Sequence, residues 1–200
     1  MYVGRIVTVG MANRAFVAYR VSSRSFPNRI ARVANGCVAI EPLNPDDMKR
    51  NPYIAYNCIR VSPNGIVVSN GSHTDKIWEK INAGAEPEGA IHDVLLEMGY
   101  ERDELNTPRI AGVVTEDLGY LGIVRPDGVE TMKFVLKPAR CRIICTYELD
   151  HLTDQEYSFL AQTAEEAAKY VFDQGVFADF EKPICSAAWM GEFAVFNPHQ

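Results

Sequence analysis

Residues 54–99, IAYNCIRVSPNGIVVSNGSHTDKIWEKINAGAEPEGAIHDVLLEMG, decide the fold class. Two short β-rich runs, Ile54–Val61 and Gly65–Val68, flank Ser62-Pro63-Asn64-Gly65, and Asn-Gly tolerates the positive φ of a tight hairpin turn. From Thr74 the pattern changes. Ile77, Trp78, Ile81 and Ala85 recur at helical spacing, and Ser72 with Asp75 resembles a capping box with Asp in place of Glu. Pro87 suits a first helical position; Ile91, Val94, Leu95 and Met98 form a second apolar stripe closed by Gly99. An antiparallel pair followed by two consecutive helices is grouping rather than βαβ alternation, so the expected class is α+β.

Toward the N-terminus, Val3–Val9 and Ala15–Val21 read as a hairpin through residues 10–14, and Val38–Ile40 as a further strand. Toward the C-terminus, strands are expected at Arg109–Thr115, Tyr120–Val124, Val129–Leu136 and Cys141–Glu148, with a turn at Arg125-Pro126-Asp127-Gly128. Thr163 and Glu166 form a capping box for a third helix, lined by Ala164, Ala167, Ala168, Val171 and Phe172 and ended by Gly175. Strands at Ile184–Trp189 and Phe193–Phe196 finish the pattern. No repeat or linker interrupts it, so residues 1–200 are expected to form one domain.

The composition suits a globular chain: 200 residues, 22.3 kDa, 47% hydrophobic and 23% charged. Such a chain buries roughly 70% of its unfolded surface without needing a disulfide or metal. No apolar run reaches the roughly 18 residues of a membrane span. The start, MYVGRIVTVGMANRAF, lacks the features of a signal peptide. Five cysteines, with no CxxC pair, fit free thiols in a reducing cytoplasm. His92, His151 and His199 are scattered, so no metal cluster is expected.

The net charge of −6 disfavours a general nucleic-acid binder, but it is unevenly spread. Residues 1–60 hold nine Lys and Arg against three acids, a net +6; the remainder, with eleven bases and twenty-three acids, carries −12. The basic third either pairs with the acidic remainder or holds a small anion through arginine forks.

Four segments are rich in side chains that position polar ligands. Tyr19–Arg29, YRVSSRSFPNR, sets Arg20, Arg24 and Arg29 beside Ser23 and Asn28 at a strand end; a solvated loop is the plainer reading. Asn51–Cys58, NPYIAYNC, offers tyrosines for stacking and amides for base edges, against the commoner role of core aromatics. Alternation puts Ile54 and Tyr56 on one face and Tyr53, Ala55 and Asn57 on the other. Val68–Asp75, VSNGSHTD, joins a strand to a helix N-terminus, where free N–H groups favour an anion; it lacks the spacing of a Walker loop. His73 there is either catalytic or a polar residue at the helix start. Asp103–Ile110, DELNTPRI, combines carboxylates, an amide and Arg109, either as a surface pair or as a ligand clamp.

Taken together, these segments resemble the archaeal-type IMP cyclohydrolase family. The matching strings are MYVGRI at 1–6, FVAYRVSSRSFPNR at 16–29, RNPYIAYNCIR at 50–60, VSNGSHTD at 68–75 and DELNTPRIA at 103–111. The similarity is close through about residue 125 and weak beyond it. The resemblance implies closure of 5-formamidoimidazole-4-carboxamide ribonucleotide (FAICAR) to inosine monophosphate in purine synthesis. It also implies a four-layer αββα sandwich of antiparallel sheets flanked by helices, as in N-terminal-nucleophile hydrolases. Tyr2 after Met1 leaves no terminal Ser, Thr or Cys nucleophile.

On this resemblance the expected catalytic residues are Tyr56, as proton or oxyanion donor, with Arg29 and Glu104. Arg20, Ser23, Arg24, Asn28, Asn57, Ser69, Asn70, Gly71, Ser72, Asn106 and Arg109 are expected to bind substrate. The chemistry requires a near-attack geometry, an oxyanion donor and a proton for the departing oxygen, but neither a metal nor a redox cofactor. The expected partner is the purine-precursor mononucleotide, with no nucleic acid or membrane, and the expected assembly is a homo-oligomer. Two alternatives stand beside it. One is an amidohydrolase using Cys58 or Ser69. The other is a non-catalytic purine-nucleotide-binding module.

Overall fold

The computed structural model describes residues 1–198, so His199 lies outside the described residues. The chain forms two mostly antiparallel sheets with few helices. β1 (Ile6–Met11) and β2 (Ala15–Ser22) make the expected hairpin, Ile6 opposite Arg20 and Met11 opposite Ala15. β3 (Arg29–Ala34), β4 (Cys37–Pro42), β5 (Tyr56–Ser62) and β6 (Gly65–Ser69) follow as a meander, with the short helix α1 (Asp47–Arg50) between β4 and β5. Helices α2 (His73–Asn82) and α3 (Pro87–Met98) then intervene before β7 (Arg109–Val114), β8 (Leu118–Arg125) and β9 (Gly128–Val135) continue the same sheet. Its order is β3-β4-β5-β6-β7-β8-β9.

The second sheet gathers the two ends of the chain. β10 (Arg140–Cys145), β11 (Tyr157–Ser158), helix α4 (Ala164–Asp173), β12 (Pro183–Trp189) and β13 (Phe193–Phe196) complete it, in the order β11-β10-β1-β2-β12-β13. Every strand pair within the two sheets is antiparallel.

Three cores follow from strand alternation. Val7, Val9, Val17, Tyr19 and Val21 point into a central core against Ile59, Val68, Ile110 and Leu121 of the other sheet. The alternate residues Ile6, Phe16 and Ala18 point outward onto Phe159, Ala167, Ala168 and Val171. On the far side, Val67, Ala111 and Val113 point outward onto Ile77, Ile81, Ile91 and Leu95 of α2 and α3. Strands covered on both faces are apolar almost throughout, which is why they read clearly in the sequence. No helix among the described residues is long and apolar enough to cross a membrane.

Several expectations need correction. The first strand begins at Ile6, because Gly4 turns the chain with a φ of +71°. The strand expected to reach Glu148 stops at Cys145, and Glu148 and Leu149 both have positive φ. Arg29, expected at the end of a loop, opens edge strand β3 (Arg29–Ala34), which is absent from the expected strands; its exposed Arg32 and Val33 hide the strand period. The Ser72–Asp75 capping box does not form. Ser72 makes no side-chain cap, and Asp75 instead accepts from Asn57 and Arg60. At α4 the Thr163 hydroxyl accepts from the Glu166 N–H as expected.

Candidate active site

A cleft of about 550 Å³ opens at the pole where β1, β5 and β7 begin and β2 and β10 end. That volume falls within the range of small-molecule sites. Ser23, Ser25 and Phe26 form one wall, Arg50 to Tyr53 a second, and Arg102 to Leu105 a third, with Tyr2, Arg5 and Tyr147 completing it. Aromatic rings brace its cations: Arg24 lies 4.0 Å from the Tyr2 ring, Arg50 5.4 Å from Phe26 and Arg109 5.4 Å from Tyr53. Such contacts orient guanidinium groups, exposed for Arg24 and Arg50 and buried for Arg109.

Beneath the cleft sits a charged group that the sequence reading missed. Glu101, 1% exposed, accepts a 2.9 Å bond at Oε2 from Arg5 Nη2. Its Oε1 has no hydrogen-bond partner, although Arg109 Nη1 lies 3.7 Å away. Burial raises the Glu101 pKa, with Arg5 and Arg109 opposing the rise. Burial is the largest single influence and works against the Arg5 charge, but Glu101 together with Tyr56, Tyr19 and Tyr147 outweighs it, and the Arg5 pKa is raised.

Two local features place this pair. Gly4 turns Arg5 toward the cleft, and a Cβ there would collide with the Thr146 hydroxyl. The Glu101–Thr107 loop is tied at its base by the Glu101 N–H to Thr107 carbonyl bond, 2.8 Å. The Asp103 carboxylate braces it, accepting from the Leu105 and Thr107 N–H groups and the Thr107 hydroxyl. The loop therefore turns Glu101 inward and leaves Glu104 exposed on the rim. MYVGRI did contain Arg5. For Glu101 the available signal was its position two residues past the helix-ending Gly99, ahead of the richer DELN string.

The structure brings Tyr56, Arg29 and Arg109 together at this pole, each nearly buried. Tyr56 Oη lies 2.7 Å from Tyr19 Oη. Burial pushes the Tyr56 pKa up to about 12, moderated by Arg29 and Arg5. Arg29 Nε donates to the Phe26 carbonyl at 3.1 Å. Ser23 lines the cleft, its hydroxyl accepting from the Phe26 N–H, and Arg24 stands on the rim 3.6 Å from Glu181.

Of the expected residues only Ser23 and Glu104 line the cleft itself, and the remaining ligands are held elsewhere. Arg20 is a clear correction, because alternation turns it outward. Fully buried, its guanidinium donates to the carbonyls of Phe172, Phe177 and Phe180 and to the Ser22 hydroxyl. Asn57 likewise faces α2 and donates to Asp75. Ser69 is engaged by Thr74 and the Gly71 carbonyl. The Asn70 amide is engaged at both ends, donating to the Pro108 carbonyl and accepting from the Ile110 N–H. Ser72 is exposed at the start of α2, Asn106 is exposed in a positive-φ turn, and Asn28 is exposed beside β3.

Gly71 lies under the site, where a Cβ would sit 3.0 Å from Arg109 Nη1 and 3.1 Å from His73 Nδ1. His73 is fully buried, with Nε2 3.0 Å from the Ile110 carbonyl; burial and Arg109 draw its pKa down to about 3. It is therefore a neutral imidazole whose Nε2 carries the proton to that carbonyl.

A second hollow of about 420 Å³ opens at the opposite pole among the hairpin turns, walled by Met11, Pro63 and Trp189; none of the expected catalytic or binding residues lies there. No group of three or more His, Cys, Asp or Glu suited to a metal is present among the described residues.

A two-sheet scaffold with a cleft over buried guanidiniums, one carboxylate and a phenol pair defines a small-molecule site that favours an anionic guest and can move protons. The profile of the family described as IMP cyclohydrolase-like protein matches residues 2–193, and the chain belongs to that family. It is 47% identical over 189 residues to the IMP cyclohydrolase of Methanocella arvoryzae, covering 94% of this chain and 91% of that protein. It is 44% identical to that of Methanosphaera stadtmanae, with 94% and 93% covered. It is also 44% identical to that of Methanothrix thermoacetophila, with 99% and 100% covered. The similarity expected to fade after residue 125 therefore runs through nearly the whole chain.

Proposed function

We propose that this chain is an IMP cyclohydrolase that closes FAICAR to inosine monophosphate with loss of water. The observation that carries the reading is identity of 44–47% over nearly the full length to proteins bearing that name. The cleft chemistry supports it. The carboxamide nitrogen is a weak nucleophile, and holding it against the formyl carbon removes much of the entropic barrier.

Glu101 replaces Glu104 as the acid–base carboxylate in this reading. Its unpartnered Oε1 takes a proton from the carboxamide as the C–N bond forms. Tyr56 gives its proton to the formyl oxygen, with Arg29 and Arg5 beside the developing charge. The resulting hydroxyl leaves as water with the proton held on Glu101, and the former formamide nitrogen returns its proton to Tyr56. Both groups end as they began. Arg24, Arg50, Ser23 and Ser25 supply cationic and hydroxyl donors for the phosphate.

The amidohydrolase alternative loses ground at its nucleophiles, since burial pushes the Cys58 thiol well up and the Ser69 hydroxyl is already engaged. We also read the three cores as those of a four-layer αββα sandwich of the N-terminal-nucleophile-hydrolase type, in one domain. The five free thiols are consistent with a cytoplasmic home.

The test is a spectrophotometric assay with the formylated precursor. Ring closure without a metal, slowed about 100-fold or more in Glu101→Gln and Tyr56→Phe, is expected. Binding of inosine monophosphate with no turnover by the wild type would leave only the binding module.

A further inference from the structure

We propose that Tyr19 is a positioning residue that directs the Tyr56 proton into the cleft and donates a hydrogen bond to the Tyr56 oxygen as that proton leaves. The inference rests on the reading of Tyr56 as the proton donor. Tyr19 comes from β2 and Tyr56 from β5, so their contact joins the two sheets at the cleft pole. The hydroxyl oxygens are 2.7 Å apart, and the rings meet edge to face at 79° with centroids 6.3 Å apart.

The direction of the bond follows from counting protons. Among the described residues each hydroxyl has only the other as partner. Two protons therefore share one contact, and one of them must point elsewhere. Tyr19 is completely buried in the central core, where Arg5 and Cys58 lie beside its phenol; a guanidinium accepts no proton and a thiol sulfur is a weak acceptor. Tyr56 keeps 8% of its surface. The guanidiniums of Arg5 and Arg29 beside it have no lone pair to accept a proton. The arrangement that strands no buried proton is Tyr19 donating and Tyr56 pointing its own O–H outward.

The other groups around the pair are accounted for. Arg5 and Arg29 are cations, Glu101 bonds Arg5 through Oε2 and makes no hydrogen bond to either phenol, and Cys58 lies beside the phenols with Cys185 behind it. Burial raises both thiols, so they add no charge near neutral pH. Burial likewise raises Tyr19, with the neighbouring Tyr56 adding to the rise and Arg5 opposing it. When the Tyr56 O–H breaks and its proton passes to the substrate oxygen, the phenolate meets one neutral donor and two cations. The proton released later from the substrate nitrogen restores the phenol.

The test places a fluorinated tyrosine at position 56, whose lower-ionising phenol can be followed by ¹⁹F NMR while the protein stays folded. Tyr19→Phe should raise that ionisation by about one pH unit, a tenfold weaker acid. In the otherwise natural protein the same variant should lower kcat about tenfold, leave KM nearly unchanged and move the alkaline limb of the rate profile upward. Fluorotyrosine at position 19, a stronger donor of nearly the same shape, should move the ionisation of position 56 the opposite way, and it serves if Tyr19→Phe folds poorly. An unchanged ionisation in both variants would overturn the proposal whatever happens to the rate. Shifted ionisation with unchanged kcat would instead overturn Tyr56 as proton donor.

Discussion

Replacing Arg20 with Met should unfold the protein more easily and leave its nucleotide chemistry intact. Arg20 Nη1 donates to the Phe172 and Phe177 carbonyls at 2.7 and 2.8 Å, and Nη2 to Phe180 at 2.6 Å. Nε donates to the Ser22 hydroxyl at 3.1 Å. One buried guanidinium thus ties the end of α4 and the turn after it to β2. Each bond to a charged donor is worth about 1.5–3 kcal/mol, and its loss leaves a buried carbonyl unpaired. Removing the ion also removes its own desolvation cost, so the expected net loss is about 3–5 kcal/mol. At a urea dependence of about 2 kcal/mol per molar, the unfolding midpoint falls by about 2 M. Calorimetry with inosine monophosphate under folded conditions should give nearly wild-type affinity. A variant with an unmoved urea midpoint and a tenfold loss of affinity would refute this and return Arg20 to the cleft.

Further outcomes are expected from the same structure. Glu101→Gln should lower kcat by about 100-fold or more as a general base is lost, whereas Glu104→Gln should cost only a few-fold; the reverse order in a ring-closure assay would restore Glu104. His73, with an ordinary pKa of 6.5 and a folded value of about 3, binds its proton more readily in the unfolded chain. Its contribution to stability is complete above pH 6.5 and is lost as pH falls toward 3, by about 2–3 kcal/mol at pH 4.5. His73→Gln should flatten that dependence in urea titrations at pH 7 and 4.5, and an equal slope would contradict the assignment. Cys58, Cys141, Cys145 and Cys185 are buried with raised thiol pKa values. They should react with a thiol reagent only on unfolding; rapid labelling of Cys58 with loss of activity would revive the nucleophile alternative.

Much of the fold was legible because its signals are local. The Asn64-Gly65 turn, the Pro87 start and the stripe from Ile91 to Met98 each fix a hairpin or helix within a few residues. What escaped depends on distant partners. Arg29–Ala34 is a strand because β4 pairs with it, and Asp75 leaves its capping position because Asn57 and Arg60 reach it from β5. The site was legible as segments rather than as side chains. All four segments border the cleft pole, but Glu101 turns inward only because Asp103 and Thr107 close its loop. No property of residue 101 alone announces that.

Strand register is what sorts the candidates. In a strand covered on both faces, a step of one residue moves a side chain from the central core to the helix side. Tyr19 shares the inward face of β2 with Val17 and Val21, while Arg20 shares the outward face with Phe16 and Ala18. Arg29 has the parity of inward Ala31, whereas Asn57 faces outward to α2, on the opposite face from Tyr56. A phenol pair and its flanking cations can therefore meet at the pole, while the adjacent polar residues are drawn into holding helices. Polar density at a strand end locates such a site only to within one residue. The alternate apolar positions along the same strand supply the missing half, since they identify which polar neighbours share the inward face. Applied to β2 and β5, that rule selects Tyr19 and Tyr56 and sets aside Arg20 and Asn57 before any contact is measured.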